Sequence, residues 1–208
     1  MEHMTQESQL ILGLIGGVGA GKSTVLDCLK EHGFYVIQTD LTARRLMEPG
    51  MESYEAVTGL LGPAILKEDK TIDRPAMAEL IFSDPGLCEQ INKLTHPLVW
   101  QSVLLEAGQQ KGPVVIETAL PSKEFGDKCR EMWYVYTSRE ERQKRLEKNR
   151  GYSPEKIQGI IQQQPSHEEF FSMADAVIDN NGTAKETQKQ VETLLKVRFP
   201  ELWKRIDR

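Results

Sequence analysis

From Leu10 onward the chain alternates short apolar runs with helical patterns, and that alternation predicts an α/β fold. Residues 10–15, LILGLI, read as a buried strand. They turn through glycines into Lys22, Ser23 and Thr24, after which Val25, Cys28 and Leu29 at i, i+3, i+4 give a helix one apolar face. His32-Gly33 marks its stop. Residues 34–37, 113–117, 132–136 and 176–178 read as the second to fifth strands. Between the second and third, residues 41–107 offer no good strand. They carry apolar residues at helical spacing instead, Met77, Leu80 and Ile81, then Leu87, Ile91 and Leu94, punctuated by Pro49-Gly50, Gly62-Pro63 and Asp84-Pro85-Gly86. Strands separated by helices predict a parallel sheet with right-handed crossovers. A closing helix from Ala184 carries Val191, Leu194 and Leu195 on one face.

The turn after the first strand fits G-x-x-x-x-G-K-S, opened by Gly16 and closed by Gly21, with Lys22 and Ser23 following. Average residue usage puts a chance match at about one per cent for a chain of this size. Its glycines let successive N–H groups point at phosphate oxygens, while the next helix turns its positive end to the same anion. Lys22, read as a mobile, solvated ammonium, would reach the β- and γ-phosphates. The Ser23 hydroxyl would ligate the Mg²⁺ that bridges them.

Composition narrows the class. The 208 residues are 39% hydrophobic and 27% charged, enough for one sizeable core and a single domain with insertions. The start, MEHMTQESQ, lacks the apolar run of a signal peptide or membrane span, so a cytoplasmic protein with no membrane partner is expected. Cys28, Cys88 and Cys129 are too scattered for a disulfide framework or a zinc site and read as buried free thiols. A net charge of −5 argues against a nucleic-acid surface, so any polyanion must meet a local basic cleft.

The best basic stretch is residues 139–150, REERQKRLEKNR, with six basic residues against three acidic. It follows the fourth strand and leads into Gly151-Tyr152-Ser153-Pro154, a helix entry with proline first. A segment leaving the carboxyl end of a parallel strand starts over the ligand, so the run reads as a basic lid rather than a solvated face. Arg142 and Arg145 share one helical face, with Leu146 toward the core and Arg150 just beyond. By the same strand-end rule Asp40 follows the second strand near the loop, where it is also able to cap the next helix. Glu117 ends the third strand, either as a metal-associated carboxylate or as a surface residue. Taken alone, Arg74 reads as a surface ion pair and His96 as a structural histidine. Guanine specificity finds no support: Asn92-Lys93-Leu94-Thr95 lacks the aspartate of a guanine-reading motif and lies in a helical stretch.

With GLIGGVGAGKST, VIQTDLTARRL before EPG, TIDRPAMAELIFSDP, LTHPLV and ADAVIDNNG in this order, the chain resembles the dephospho-coenzyme A kinase family over roughly residues 10–195. The resemblance implies a P-loop NTPase type fold: a five-stranded parallel sheet flanked by helices, a nucleotide-binding core at 9–43 and 108–208, a helical acceptor-binding insertion at 44–107 and a lid at 139–165. It implies ATP-dependent phosphorylation of the ribose 3′-hydroxyl of dephospho-CoA, with Mg²⁺. A monomer is expected, with an oligomer left open. Carried over by position, Gly16, Gly17, Val18, Gly19, Ala20, Gly21, Lys22, Ser23 and Thr24 bind ATP and magnesium, and Asp40 activates the hydroxyl or positions the metal. Arg44, Arg74 and His96 belong to the acceptor side, and Asn180 lies where the last strand meets the adenine.

The chain also departs from the family pattern. Gln38 stands where an aspartate is usual, and Glu117-Thr118-Ala119-Leu120-Pro121 replaces an aspartate followed by P-L-L. Asn149 and Ile160 occupy two usual lid-arginine positions. Arg145 and Arg150 are therefore read as supplying the lid charge. Another nucleotide kinase, or an ATP-binding module that has lost transfer, remains the alternative.

Overall fold

The computed structural model describes residues 9–206, so the N-terminal stretch behind the cytoplasmic expectation lies outside the described residues. In chain order, β1 (Ile11–Ile15) leads to α1 (Lys22–Glu31) and β2 (Tyr35–Gln38). Then come α2 (Thr39–Leu46), α3 (Glu52–Leu61), a 3-10 turn (Pro63–Ile65), α4 (Arg74–Ser83) and α5 (Pro85–Gly108). The chain returns through β3 (Val114–Thr118), α6 (Lys123–Gly126), β4 (Glu131–Tyr136), α7 (Arg139–Arg150), α8 (Pro154–Gln162) and α9 (His167–Ser172). It closes with β5 (Ala176–Asp179), α10 (Ala184–Arg198) and α11 (Pro200–Ile206).

Two compact units result, one from the residues up to Ile37 together with Gln110 onward, the other from Gln38–Gln109. The first is built on a five-stranded sheet of order β2-β3-β1-β4-β5. β1 pairs in parallel with β3, from Ile11↔Val114 to Ile15↔Thr118, and with β4, from Leu12↔Glu131 to Ile15↔Tyr134. β4 pairs in parallel with β5. The expected strands are present within a residue or two of their expected ends.

A central parallel strand is covered on both faces, so its sequence runs apolar rather than alternating. Leu12, Leu14 and Ile15 are indeed wholly buried. On one face Leu12, Leu14, Trp133, Val135 and Ile178 pack with Val25 and Leu29 of α1 and Val191 and Leu195 of α10. Phe199, between α10 and α11, seals this core 5.8 Å from the Trp133 ring. α10 begins at a capping box, Thr183 with Glu186, which satisfies two backbone donors reciprocally.

The second unit is helical, as expected, with α2, α3 and α4 packed on α5. Its core joins Val57, Ile65 and Ile91 to Met77, Leu80 and Ile81. Leu94 is instead 41% exposed. α5 runs unbroken past His96, with Pro97 inside it. A small hairpin crosses from Leu66 to Ile72. Among the described residues no helix is long and apolar enough to cross a membrane.

Candidate active site

The loop from Gly16 to Gly21 joins β1 to α1. Gly16 has φ 152° and Gly21 φ 81°, backbone values that side chains disfavour. A Cβ on Gly16 would also lie 2.8 Å from the Val135 carbonyl, and one on Gly21 would collide with the Asn180 amide. Glycine is needed at both for space as well as for conformation. α1 starts at Lys22 without a side-chain cap, and although the Thr24 N–H donates to the Gly21 carbonyl, the positive end of the helix faces the loop as an anion site requires.

Lys22 is not the solvated ammonium expected from the sequence. Its Nζ donates to the Gly16 carbonyl at 2.7 Å and reaches Glu117 Oε1 at 3.1 Å, with the two side chains only 11% and 8% exposed. The register that sets Leu14 opposite Glu117 brings the strand-end acid to the loop lysine. Glu117 is accordingly buried and paired rather than a surface residue.

The far side of the loop rests on residues that follow β4 and β5. The Thr137 hydroxyl donates to the Ala20 carbonyl at 2.9 Å. Asn180, 4% exposed, donates from Nδ2 to the same carbonyl at 2.7 Å and accepts from the Thr187 hydroxyl at 2.6 Å. Its side chain therefore braces the loop, and its carbonyl accepts from Arg145 Nη2 at 2.8 Å.

The basic run forms α7, capped by the Ser138 hydroxyl and ended by Gly151 in the left-handed conformation. Arg145 lies on the loop side of this helix, held also by Glu141 Oε1 at 3.1 Å. Arg150 is the last residue of the helix, 6.0 Å from the Tyr152 ring centre. Arg142 was read from the sequence only as sharing a face with Arg145, yet it is 6% exposed and donates from Nε to the Val18 carbonyl at 3.0 Å. Gln164 accepts from both Arg142 and the Val18 N–H. The i, i+4 pairing of Arg142 with buried Leu146 was the legible signal; for Gln164, far along the chain, there was none.

In the helical unit Arg44, Arg74 and Lys67 line one cleft of about 430 Å³, three cations against the single carboxylate of Glu48, with Thr71 and the apolar Met47, Pro49, Ile72 and Pro75. His96 is exposed on α5 and is not among those lining residues. Asp40 is exposed in the first turn of α2, whose cap is Gln38, so the capping role considered for Asp40 is not the one it has.

As for a divalent cation, the described residues hold no cluster of three or more His, Cys, Asp or Glu side chains. Hard oxygen donors near the loop are the exposed Ser23 hydroxyl and the Glu117 carboxylate. That set fits an ion bound chiefly through substrate phosphates.

The sequence profile of dephospho-CoA kinase matches residues 10–186. A dephospho-CoA kinase of Geobacter metallireducens is 36% identical over 195 residues, covering 91% of this chain and 97% of that protein. A Thermus thermophilus protein of known crystal structure superposes with a TM-score of 0.76 at 26% identity, covering 92% of this chain and 98% of that one. A dephospho-CoA kinase from Campylobacter jejuni shares the fold with a TM-score of 0.66 at 19% identity, over 90% and 96% of the two chains. With this profile matched from the first strand to the start of α10, the chain belongs to the dephospho-CoA kinase family.

Proposed function

We propose that this chain transfers the γ-phosphoryl group of ATP to the ribose 3′-hydroxyl of dephospho-CoA, giving coenzyme A and ADP, in the cytoplasm. The observation that carries the reading is the phosphate loop with Lys22 already held over it by Gly16 and Glu117, in a chain of this family.

Phosphoryl transfer asks little covalent chemistry of a protein and much positioning and charge stabilisation. Residues Gly16 to Thr24 cradle the triphosphate. Lys22 loses little side-chain freedom on meeting the phosphates, because Gly16 and Glu117 hold its ammonium at the loop. A Mg²⁺ ion bound with ATP would be held by the Ser23 hydroxyl and would neutralise phosphate charge. Asp40 accepts the proton of the attacking hydroxyl. Arg44 and Arg74, with His96 on the acceptor side, bind anionic groups of dephospho-CoA, and the shared cleft of the two arginines supports that role. Arg145 meets nucleotide charge at the loop; Arg150 would have to leave its Tyr152 contact to do so.

The test is product analysis after incubating the purified chain with MgATP and dephospho-CoA. Coenzyme A and ADP in equal amounts are expected. ATP binding without acceptor-dependent turnover would instead mark a nucleotide-binding module.

A further inference from the structure

A buried guanidinium is ordinarily matched by a carboxylate, since neutral acceptors satisfy its donors but not its charge. Arg145 has such a partner in Glu141 at 3.1 Å. Arg142, three residues earlier and 6% exposed, has none among the described residues. Its hydrogen bonds go to the Val18 carbonyl at 3.0 Å and to Gln164 Oε1 at 2.5 Å, both neutral. Burial depresses its pKa, and neighbouring Arg139 adds to the effect while Tyr134 opposes it.

The position of this unmatched cation is specific. The guanidinium lies against Gly17, so closely that a Cβ there would run into it. Gln164 fixes it from the other side, because one amide oxygen accepts from Arg142 and, at 3.1 Å, from the Val18 N–H. The cation is thus held rigidly on a loop whose glycines and helix end are arranged for an anion.

We propose that Arg142 is the lid cation whose counter-charge is the polyphosphate of the bound nucleotide, and that Gln164 positions it for that contact. This rests on the kinase reading and adds a residue to it: an arginine supplied in cis, at a position where the sequence pointed to Arg145 and Arg150. A mere latch between lid and loop would need hydrogen bonds but no charge. Glutamine at 142 would then serve nearly as well, without the cost of burying a cation.

The experiment uses the full chain with Arg142→Gln, Arg142→Lys and Gln164→Met. Thermal unfolding is followed without ligand, with magnesium tripolyphosphate as an anion lacking base and sugar, and with MgATP; turnover is measured with dephospho-CoA. Arg142→Gln is expected to unfold at or above the wild-type temperature without ligand, to lose most of the tripolyphosphate-induced shift, and to lose about a thousandfold in kcat, the scale of an arginine that stabilises transferring phosphoryl charge. Arg142→Lys should recover part of the shift, having charge without the planar fork. A lower unfolding temperature with an unchanged tripolyphosphate shift and unchanged kcat would make Arg142 a structural latch and overturn the proposal. Should Arg142→Gln fail to fold, Gln164→Met decides: a raised KM for ATP with lowered kcat supports positioning, and wild-type values of both refute it. A wild-type chain that binds tripolyphosphate through Arg142 but makes no coenzyme A would refute the kinase reading alone.

Discussion

The Lys22 ammonium lies 3.1 Å from the Glu117 carboxylate, joining the start of α1 to the end of β3 with both side chains nearly buried. The pair holds the lysine at the loop and gives Lys22 a structural role beside the chemical one proposed for it. Lys22→Ala is therefore expected to lose turnover and also to leave Glu117 without its ammonium, a loss of about 3 kcal/mol for breaking a buried pair. Adding Glu117→Gln should restore much of that stability and none of the activity. Denaturant unfolding of the two variants checks this; equal stability of Lys22→Ala and wild type would show that the pair contributes nothing.

Asp40 stands in the first turn of α2, exposed, with Gln38 as the cap. Replacing it by asparagine removes a favourable charge at a helix start, worth less than about 1 kcal/mol. If it takes the acceptor proton, turnover falls by at least about a hundredfold. Normal turnover of Asp40→Asn at saturating substrates would remove it from the chemistry.

Arg145 and Arg150 are separated by their surroundings. Arg145 donates to the Asn180 carbonyl beside the loop, whereas Arg150 faces Tyr152. Arg145→Ala should raise KM for ATP about tenfold, as expected for losing a hydrogen bond to a charged group. Arg150→Ala should change kcat and KM by no more than about threefold, the range of surface substitutions. A large kcat loss in Arg150→Ala would show that α7 and the segment after it rearrange to bring that arginine in.

The cleft shared by Arg44 and Arg74 predicts a selective effect. Each alanine variant should raise KM for dephospho-CoA about tenfold, the worth of one charge-assisted hydrogen bond, with KM for ATP unmoved. Equal changes in both constants would speak against an acceptor role.

The thiols give a prediction independent of catalysis. Burial, aided by Glu192 and Glu31, pushes Cys28 up to about 11, and burial with Asp175 pushes Cys129 up to about 12, from an ordinary 9.0. The unfolded chain ionises these thiols first, so their contribution to stability is full below pH 9.0 and is lost as pH rises through about 11 to 12. Cys88, read from the sequence as buried, is exposed, so at pH 8 an alkylating reagent should modify it well before the other two. Peptide mapping would reveal the order, and equally fast labelling of Cys28 would contradict the burial argument.

The sequence by itself determined the sheet, the loop and the family. Each is written in local signals: continuous apolar runs for buried parallel strands, glycines where φ is positive, and serine, proline and threonine at helix starts, as at Ser153-Pro154 and Thr183. It also placed Arg142 and Arg145 on one face of α7. What only the tertiary structure decided is which charges meet. Lys22 and Glu117 are far apart in sequence and become partners through the β1–β3 register, while Gln164, just beyond α8, reaches Val18 of the loop although 146 residues separate them. Nor could periodicity tell Arg142, buried against neutral oxygens, from Arg145, paired with Glu141. Helical spacing fixes a direction around an axis; the depth at which a charge is buried, and what waits there to balance it, depends on elements brought together from elsewhere in the chain.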